Sequence, residues 1–92
     1  MQSKNNEMEI PKEVIARAKE GNYDRIDAFC IWRHTQVWQL RQSWLPRGKR
    51  GFPPLYIIDD KGNLRELDFN EMLEAWHVFV ENGRQLETFE VE

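Results

Sequence analysis

The amino-acid sequence predicts an α+β fold, with a single layer of helices on one face of a small antiparallel sheet. Apolar residues recur at helical spacing in three separate stretches. A short β-branched and aromatic run over residues 55–59 is followed by turn residues and a second apolar run, which is typical of a β-hairpin. The predicted order is a helix–helix hairpin, a two-stranded antiparallel β-hairpin and a third amphipathic helix, with the C-terminal tail as a candidate third strand.

The N-terminal part of the chain divides into a tail and a short helix. Residues 1–9 are polar and lack periodicity, which predicts a disordered tail, so residues 10–92 are predicted to form one compact domain. Pro11 suits a first helical turn, and Gly21 is typical of a helix end. The apolar residues between them form a narrow stripe, Val14, Ile15 and Ala18. A helix this short is unstable alone, and we expect it to pack on the rest of the chain.

A second, long helix is predicted over residues 24–44, with about six turns. One of its faces carries apolar residues at helical spacing: Ile26, Phe29, Cys30, Val37, Leu40 and Trp44. Thr35 and Val37 favour a strand, so a break near His34 is an alternative. The constant phase of the stripe favours one continuous helix. Pro46 ends it, because the residue before a proline is disfavoured in a helix.

The other sides of this long helix suggest an interaction surface. Ile31 and Trp38 lie seven residues apart on the opposite side, and Trp32 points sideways between the two faces. Because the first helix offers few apolar residues to cover them, Ile31, Trp32 and Trp38 are predicted to form a dimer or partner interface. The alternative is a long helix that is covered on both sides, by the first helix and by the hairpin with the third helix.

The third helix carries the clearest local signals. Asp68 is predicted to be its N-cap, and Glu71 stands three residues further on, in the position of a capping box. Gly83 marks its end. Its apolar stripe, which we expect to face the core, consists of Phe69, Met72, Leu73, Trp76, Phe79 and Val80.

Charges are unevenly distributed along the chain, although the net charge is only -3. Residues 28–58 hold five basic side chains and no acid, whereas residues 59–92 hold ten acids and three basic side chains. Such a division indicates either an anionic partner for the middle segment or pairing between the two parts of the chain. Basic side chains attract phosphates and aromatic rings stack on nucleobases. A patch for an anionic partner is therefore predicted at Arg41, Trp44, Arg47, Lys49, Arg50 and Phe52.

Catalytic chemistry has little support in the sequence. Cys30 and His34 would share a helical face, but no third group orients them, and a buried cysteine is commonly inert. We therefore expect no catalytic residue, no metal site and no cofactor. A single cysteine cannot form an internal disulfide, and the longest apolar run has five residues. These observations predict a protein of the reducing cytoplasm without a membrane-spanning helix.

The predicted function is a small, non-enzymatic protein–protein interaction module that acts as a homodimer. The alternative is a nucleic-acid-binding accessory protein that uses the basic segment of residues 41–52. The expected partner is another protein or a second copy of the chain, with nucleic acid as the second choice. The acidic isoelectric point, near 5.4, argues against nucleic acid, because nucleic-acid-binding domains tend to be basic. No membrane and no small-molecule substrate is expected.

Overall fold

Five antiparallel strands form one sheet, and a helix packs against each of its faces. The computed structural model describes residues 9–44 and 52–91. The sheet has the strand order β4-β3-β2-β1-β5. The elements are, in chain order, α1 (Lys12–Glu20), β1 (Arg25–Trp32), β2 (Thr35–Arg41), β3 (Leu55–Ile58), β4 (Leu64–Glu66), α2 (Phe69–Glu81) and β5 (Glu87–Glu90).

The predicted long helix over residues 24–44 is wrong. This segment forms β1 and β2, which pair as an antiparallel hairpin from Arg25 opposite Arg41 to Trp32 opposite Thr35. The predicted helix–helix hairpin, with a single layer of helices on a two-stranded sheet, is therefore also wrong. The protein is α+β, but the described residues contain two helices and a five-stranded sheet.

Both faces of β1 and β2 are buried, and this explains why the segment resembles a helix in sequence. A strand that is covered on both sides carries apolar residues at nearly every position, so the period of two is lost. The register of β1 also shifts between Ala28 and Cys30, which marks a β-bulge and places Phe29 and Cys30 in the same core cluster. The resulting pattern of apolar positions can be fitted to a helical stripe.

Two core clusters lie on opposite sides of the sheet. We call the sheet face covered by α2 the α2 face, and the one covered by α1 the α1 face. The buried cluster on the α2 face consists of Phe29, Cys30, Trp32, Val37, Leu55, Ile57, Leu67, Ala75 and Phe79. The buried cluster on the α1 face consists of Val14, Ala18, Ile26, Trp38, Leu40 and Tyr56. Neither helix reaches the other's cluster.

The elements with strong local signals lie where the sequence places them. The first helix, the hairpin of β3 with β4 and the helix α2 are all present, and the tail contributes β5 at a sheet edge. α2 begins with the predicted capping box: the Asp68 side chain accepts from the Glu71 amide, and the Glu71 side chain accepts from the Asp68 amide. The predicted disordered tail, apart from Glu9, falls outside the described residues. No helix in the described ranges is long and apolar enough to cross a membrane.

Candidate functional site

Three large apolar side chains are exposed in a line along α2. Phe69, Leu73 and Val80 are 67%, 51% and 45% exposed. At 3.6 residues per turn, the three lie within about 40° of one another around the helix axis. We call them the α2 stripe. They belong to the predicted core stripe of the third helix, of which Phe79 is buried and Met72 and Trp76 are partly buried. The sheet therefore covers only one side of a wider apolar surface.

Aromatic rings extend the α2 stripe on one flank. Trp76 meets Phe29 and Phe79 edge to face, with ring centroids 4.9 and 5.3 Å away. The exposed ring of Phe52 also lies next to Trp76, with ring centroids 5.2 Å apart. The indole Nε1 of Trp76 is buried and has no hydrogen-bond partner among the residues that the structure describes. The apolar surface therefore continues from the helix onto Phe52.

A shallow apolar groove borders the α2 stripe on its other flank. Its floor is the indole of Trp32, whose Nε1 donates a 3.0 Å hydrogen bond to Oε1 of Glu74. The Arg33 guanidinium lies 4.4 Å over the Trp32 ring and donates a 3.0 Å hydrogen bond to the same carboxylate oxygen. The indole N–H of Trp32 and the Arg33 guanidinium both donate to the Glu74 carboxylate. The surface that the groove presents is therefore mostly apolar. The groove is lined by Trp32, Arg33, Leu73, Glu74, His77 and Val78.

Each carboxylate along α2 already has a partner in the same chain. The hydrogen bonds from Arg65 lower the pKa of the Glu71 carboxyl, assisted by the Asp68 amide. The closest distances are 2.9 Å for Glu71 with Arg65, 3.0 Å for Glu74 with Arg33 and 3.1 Å for Glu81 with His77. Two of the three carboxylates, Glu71 and Glu74, are therefore paired with arginines, and Glu81 contacts an imidazole.

The predicted interface residues do not form one surface. Trp38 is buried in the α1-face cluster, and Trp32 is buried in the α2-face cluster. Ile31 is exposed, and the alternation of side chains along a strand places it on the face opposite Trp32. The two tryptophans therefore belong to the core, and Ile31 alone of the three offers a large exposed side chain.

One predicted member of the basic patch, Arg41, is paired with an acid of the same chain. The Arg41 guanidinium donates to both carboxylate oxygens of Asp27, at 2.6 and 2.9 Å, and these bonds raise the pKa of Arg41. Thr88 Oγ1 donates a 2.7 Å hydrogen bond to the same carboxylate. We call Asp27, Arg41 and Thr88 the three-strand network, because they join β1, β2 and β5. Trp44 and Phe52 are exposed, and the remaining patch residues Arg47, Lys49 and Arg50 lie outside the described residues.

Cys30 and His34 do not share a helical face. The Cys30 thiol is buried under α2, donates a hydrogen bond to the Ala75 carbonyl at 3.4 Å, and has its pKa raised to about 11 by burial. His34 lies in the exposed turn after β1. A thiol with such a pKa is a poor nucleophile at neutral pH. In the described part of the chain, no group of three or more His, Cys, Asp and Glu side chains is arranged to hold a metal ion.

Comparison with known proteins finds no relative. No family model matches the chain, no curated protein is detectably similar in sequence, and no solved structure is detectably similar. The fold and the exposed surfaces are therefore the observations that bear on function.

Sequence reasoning assigned the α2 stripe to the core and did not find the three-strand network. The stripe had a signal, because six apolar residues on a helix of 13 residues cover a wider arc than one small sheet can bury. The network had no comparable signal, since its members come from three strands that are distant in the sequence.

Proposed function

We propose that this protein is a non-enzymatic protein–protein interaction module that acts as a homodimer, with the α2 stripe as its interface. The observation that carries the proposal is the alignment of Phe69, Leu73 and Val80 on one exposed helix face. Single exposed apolar residues are ordinary, but an aligned set beside further exposed aromatic surface is typical of an interaction site. Full burial of a side chain of this size stabilises by roughly 1.5–3 kcal/mol.

An antiparallel pairing of two α2 helices suits the shape of the stripe. From Phe69 to Val80 it spans about 16 Å at 1.5 Å per residue. A two-fold axis across its middle sets Phe69 opposite the partner's Val80, so the bulky end of one helix meets the smaller end of the other. Parallel helices would set phenylalanine against phenylalanine and leave a gap at the valine end. Antiparallel helices also align their dipoles favourably.

The charges beside the α2 stripe support a second copy of the chain as its binding partner. A strongly acidic or basic rim would favour a partner of opposite charge and would repel an identical one. Here Glu71 and Glu74 are paired with arginines of the same chain, which leaves Glu81, in contact with the imidazole of His77, as the one acid of α2 without an arginine partner in the described residues. Two identical faces can therefore approach without a row of unpaired like charges between them.

The test is the oligomeric state of Leu73→Glu in sedimentation equilibrium. Because the site occurs twice in an isologous dimer, the substitution places two carboxylates in the apolar contact, and we expect dimerisation to weaken by at least about a hundredfold. Ile31→Glu is the matched control: Ile31 has a similar exposure, 55% against 51% for Leu73, but lies on strand β1. We expect it to remain dimeric and both variants to remain folded by circular dichroism.

Two results would contradict the proposal. A wild-type chain that is monomeric at high micromolar concentration would exclude the homodimer. Dissociation by Ile31→Glu but not by Leu73→Glu would move the interface to the surface that the sequence predicted around Ile31.

Nucleic-acid binding by residues 41–52 is the second candidate function. The exposure of Trp44 and Phe52, on either side of the basic segment, supports it because exposed rings can stack on nucleobases. The engagement of Arg41 by Asp27 weakens it, since one of the four basic side chains of the predicted patch is already paired.

A further inference from the structure

β5 forms a regular edge of the sheet. It pairs with β1 over four consecutive residues, from Arg25 opposite Glu90 to Ala28 opposite Glu87, without a register shift. The opposite edge is the three-residue strand β4, which leads directly into α2. Within the part of the chain that the structure describes, β5 is paired on one side only. An edge strand of this kind presents a row of backbone groups to which another strand can bind.

The backbone groups that face outward can be identified from the pairing. The Val91 amide donates to the Asp24 carbonyl at 3.0 Å, which continues the register of β1 with β5 by one residue. In antiparallel strands, residues that exchange hydrogen bonds alternate with residues that do not. Phe89 and Glu87 therefore direct their amides and carbonyls toward β1. The amides and carbonyls of Thr88 and Glu90 point away from the sheet.

The two faces of β5 have different chemistry. Phe89 and Val91 pack beside the α1-face cluster, and the exposed Glu87 lies on the same side, opposite Ala28. This side of the edge is therefore apolar at Phe89 and Val91 and acidic at Glu87. Thr88 and Glu90 lie on the α2 face, and the Glu90 side chain is 77% exposed. Its nearest basic group is an Arg25 nitrogen at 3.9 Å, whereas Arg25 contacts Asp24 at 3.0 Å. The charge of Glu90 is therefore only weakly neutralised.

We propose that the outer edge of β5 is a docking site for an extended segment of another protein, in which basic residues alternate with apolar ones. The segment adds a sixth strand by hydrogen bonding to the amides and carbonyls of Thr88 and Glu90. Its apolar side chains pack beside Phe89 and Val91, and its basic side chains face Glu90. This site is separate from the α2 stripe and does not depend on the homodimer.

A second copy of β5 is a less suitable occupant. Antiparallel pairing of two β5 strands centred on Phe89 or Glu90 would bring the two Glu90 side chains close to each other on the α2 face. Like charges across paired strands are destabilising. The weak contact of each Glu90 with its own Arg25 does not offset this repulsion. A strand with basic side chains would instead form favourable ionic contacts with Glu90.

The experiment measures binding of two fluorescent hexapeptides by anisotropy, one alternating Lys and Val and the other alternating Glu and Val. We expect the Lys-Val peptide to bind the wild-type chain and the Glu-Val peptide not to bind. Glu90→Gln removes the charge and keeps the outward amide, so it weakens binding of the Lys-Val peptide a few-fold. Glu90→Pro removes both, and it weakens binding by about tenfold or more. Proline fits here because this amide does not bond to β1.

Control measurements separate loss of the edge from loss of the fold. Glu90→Pro is expected to keep the wild-type melting temperature within a few degrees. Glu90→Lys provides a second variant whose backbone is unchanged, and it should reverse the preference in favour of the Glu-Val peptide. The proposal is overturned if the wild type binds neither peptide or both equally, or if Glu90→Pro binds as well as Glu90→Gln. A change in the oligomeric state of Glu90→Pro would also overturn it, because β5 would then pair with a second copy.

Discussion

The carboxylate of Asp27 is fully buried on β1 and accepts hydrogen bonds from Arg41 on β2 and Thr88 on β5. A buried charge is costly unless it is paired and hydrogen-bonded. Asp27 is paired with Arg41 on β2 and accepts a further hydrogen bond from Thr88 on β5. The network therefore fixes the positions of three strands relative to one another. Its two ionic partners differ in environment, since the Arg41 side chain is 32% exposed and the Asp27 side chain is 0% exposed.

This difference predicts unequal effects of removing either partner. Arg41→Ala leaves a buried carboxylate with only Thr88, and we expect the free energy of unfolding to fall by about 3–5 kcal/mol. Asp27→Ala leaves a guanidinium that can turn toward water, so we expect a smaller loss of about 1–3 kcal/mol. Urea unfolding of both variants and of the double variant measures the coupling. A larger loss for Asp27→Ala would contradict this account of the network.

The sequence could not assign Arg41 to this network. Residues 28–58 contain no acid, and this absence led to the prediction of an external anionic partner for Arg41. Its actual partner is one residue outside that segment, 14 positions away, and meets it only because β1 and β2 fold back as a hairpin. A pairing that depends on strand register cannot be seen until the strands themselves are recognised.

Among the secondary-structure elements, α2 was predictable from the sequence and the central β1–β2 hairpin was not. α2 has its cap, its apolar stripe and its terminal glycine within 16 residues, so each signal supports the others. The β1–β2 hairpin lacks the usual turn residues. Its two-residue loop is Arg33 and His34, with φ of 52° and 65°, where asparagine and glycine are preferred. The backbone is left-handed at both positions, and neither holds the glycine, asparagine or aspartate that such turns prefer.

The strained turn leads to a prediction for His34→Gly. A left-handed residue with a side chain costs roughly 1–2 kcal/mol, and glycine avoids most of this cost while adding flexibility to the unfolded chain. We expect a net gain of about 0.5–1 kcal/mol in the free energy of unfolding. Arg33 is left unchanged because it contacts Trp32 and Glu74.

His34→Ala is the matched control, measured in the same denaturant titrations. Alanine removes the imidazole but keeps the steric cost of positive φ, so we expect no gain in stability. An equal gain from alanine and glycine would show that the imidazole, and not the backbone conformation, limits the stability of this turn.

At the scale of the whole molecule, the division of charge along the chain is partly resolved within the fold. Arg41 pairs with Asp27, and Arg33 pairs with Glu74 in the acidic C-terminal part. Two of the five basic side chains in residues 28–58 therefore have acidic partners in the same molecule. The other three basic side chains of residues 28–58 are Arg47, Lys49 and Arg50, which lie outside the described residues.

The remaining charges predict the behaviour of the protein toward nucleic acid. If Arg47, Lys49 and Arg50 each contact one phosphate, the log–log slope of affinity against salt should correspond to about three phosphate contacts. We expect no specific shift in a gel titration with random single- and double-stranded oligonucleotides at two salt concentrations. The triple variant Arg47→Glu, Lys49→Glu, Arg50→Glu should abolish any weak binding that is seen. A slope steeper than three contacts would show that basic side chains other than Arg47, Lys49 and Arg50 also contact phosphates.

The sheet divides the core into two clusters, and α1 contributes to only one of them. α1 contributes only Val14 and Ala18 as buried residues to its side, whereas the α2-face cluster retains all of its buried members without α1. Detachment of α1 therefore exposes one cluster and leaves the other intact. We infer that the amides of α1 exchange with solvent through local opening, while those of β1 and β2 exchange only when the whole chain unfolds.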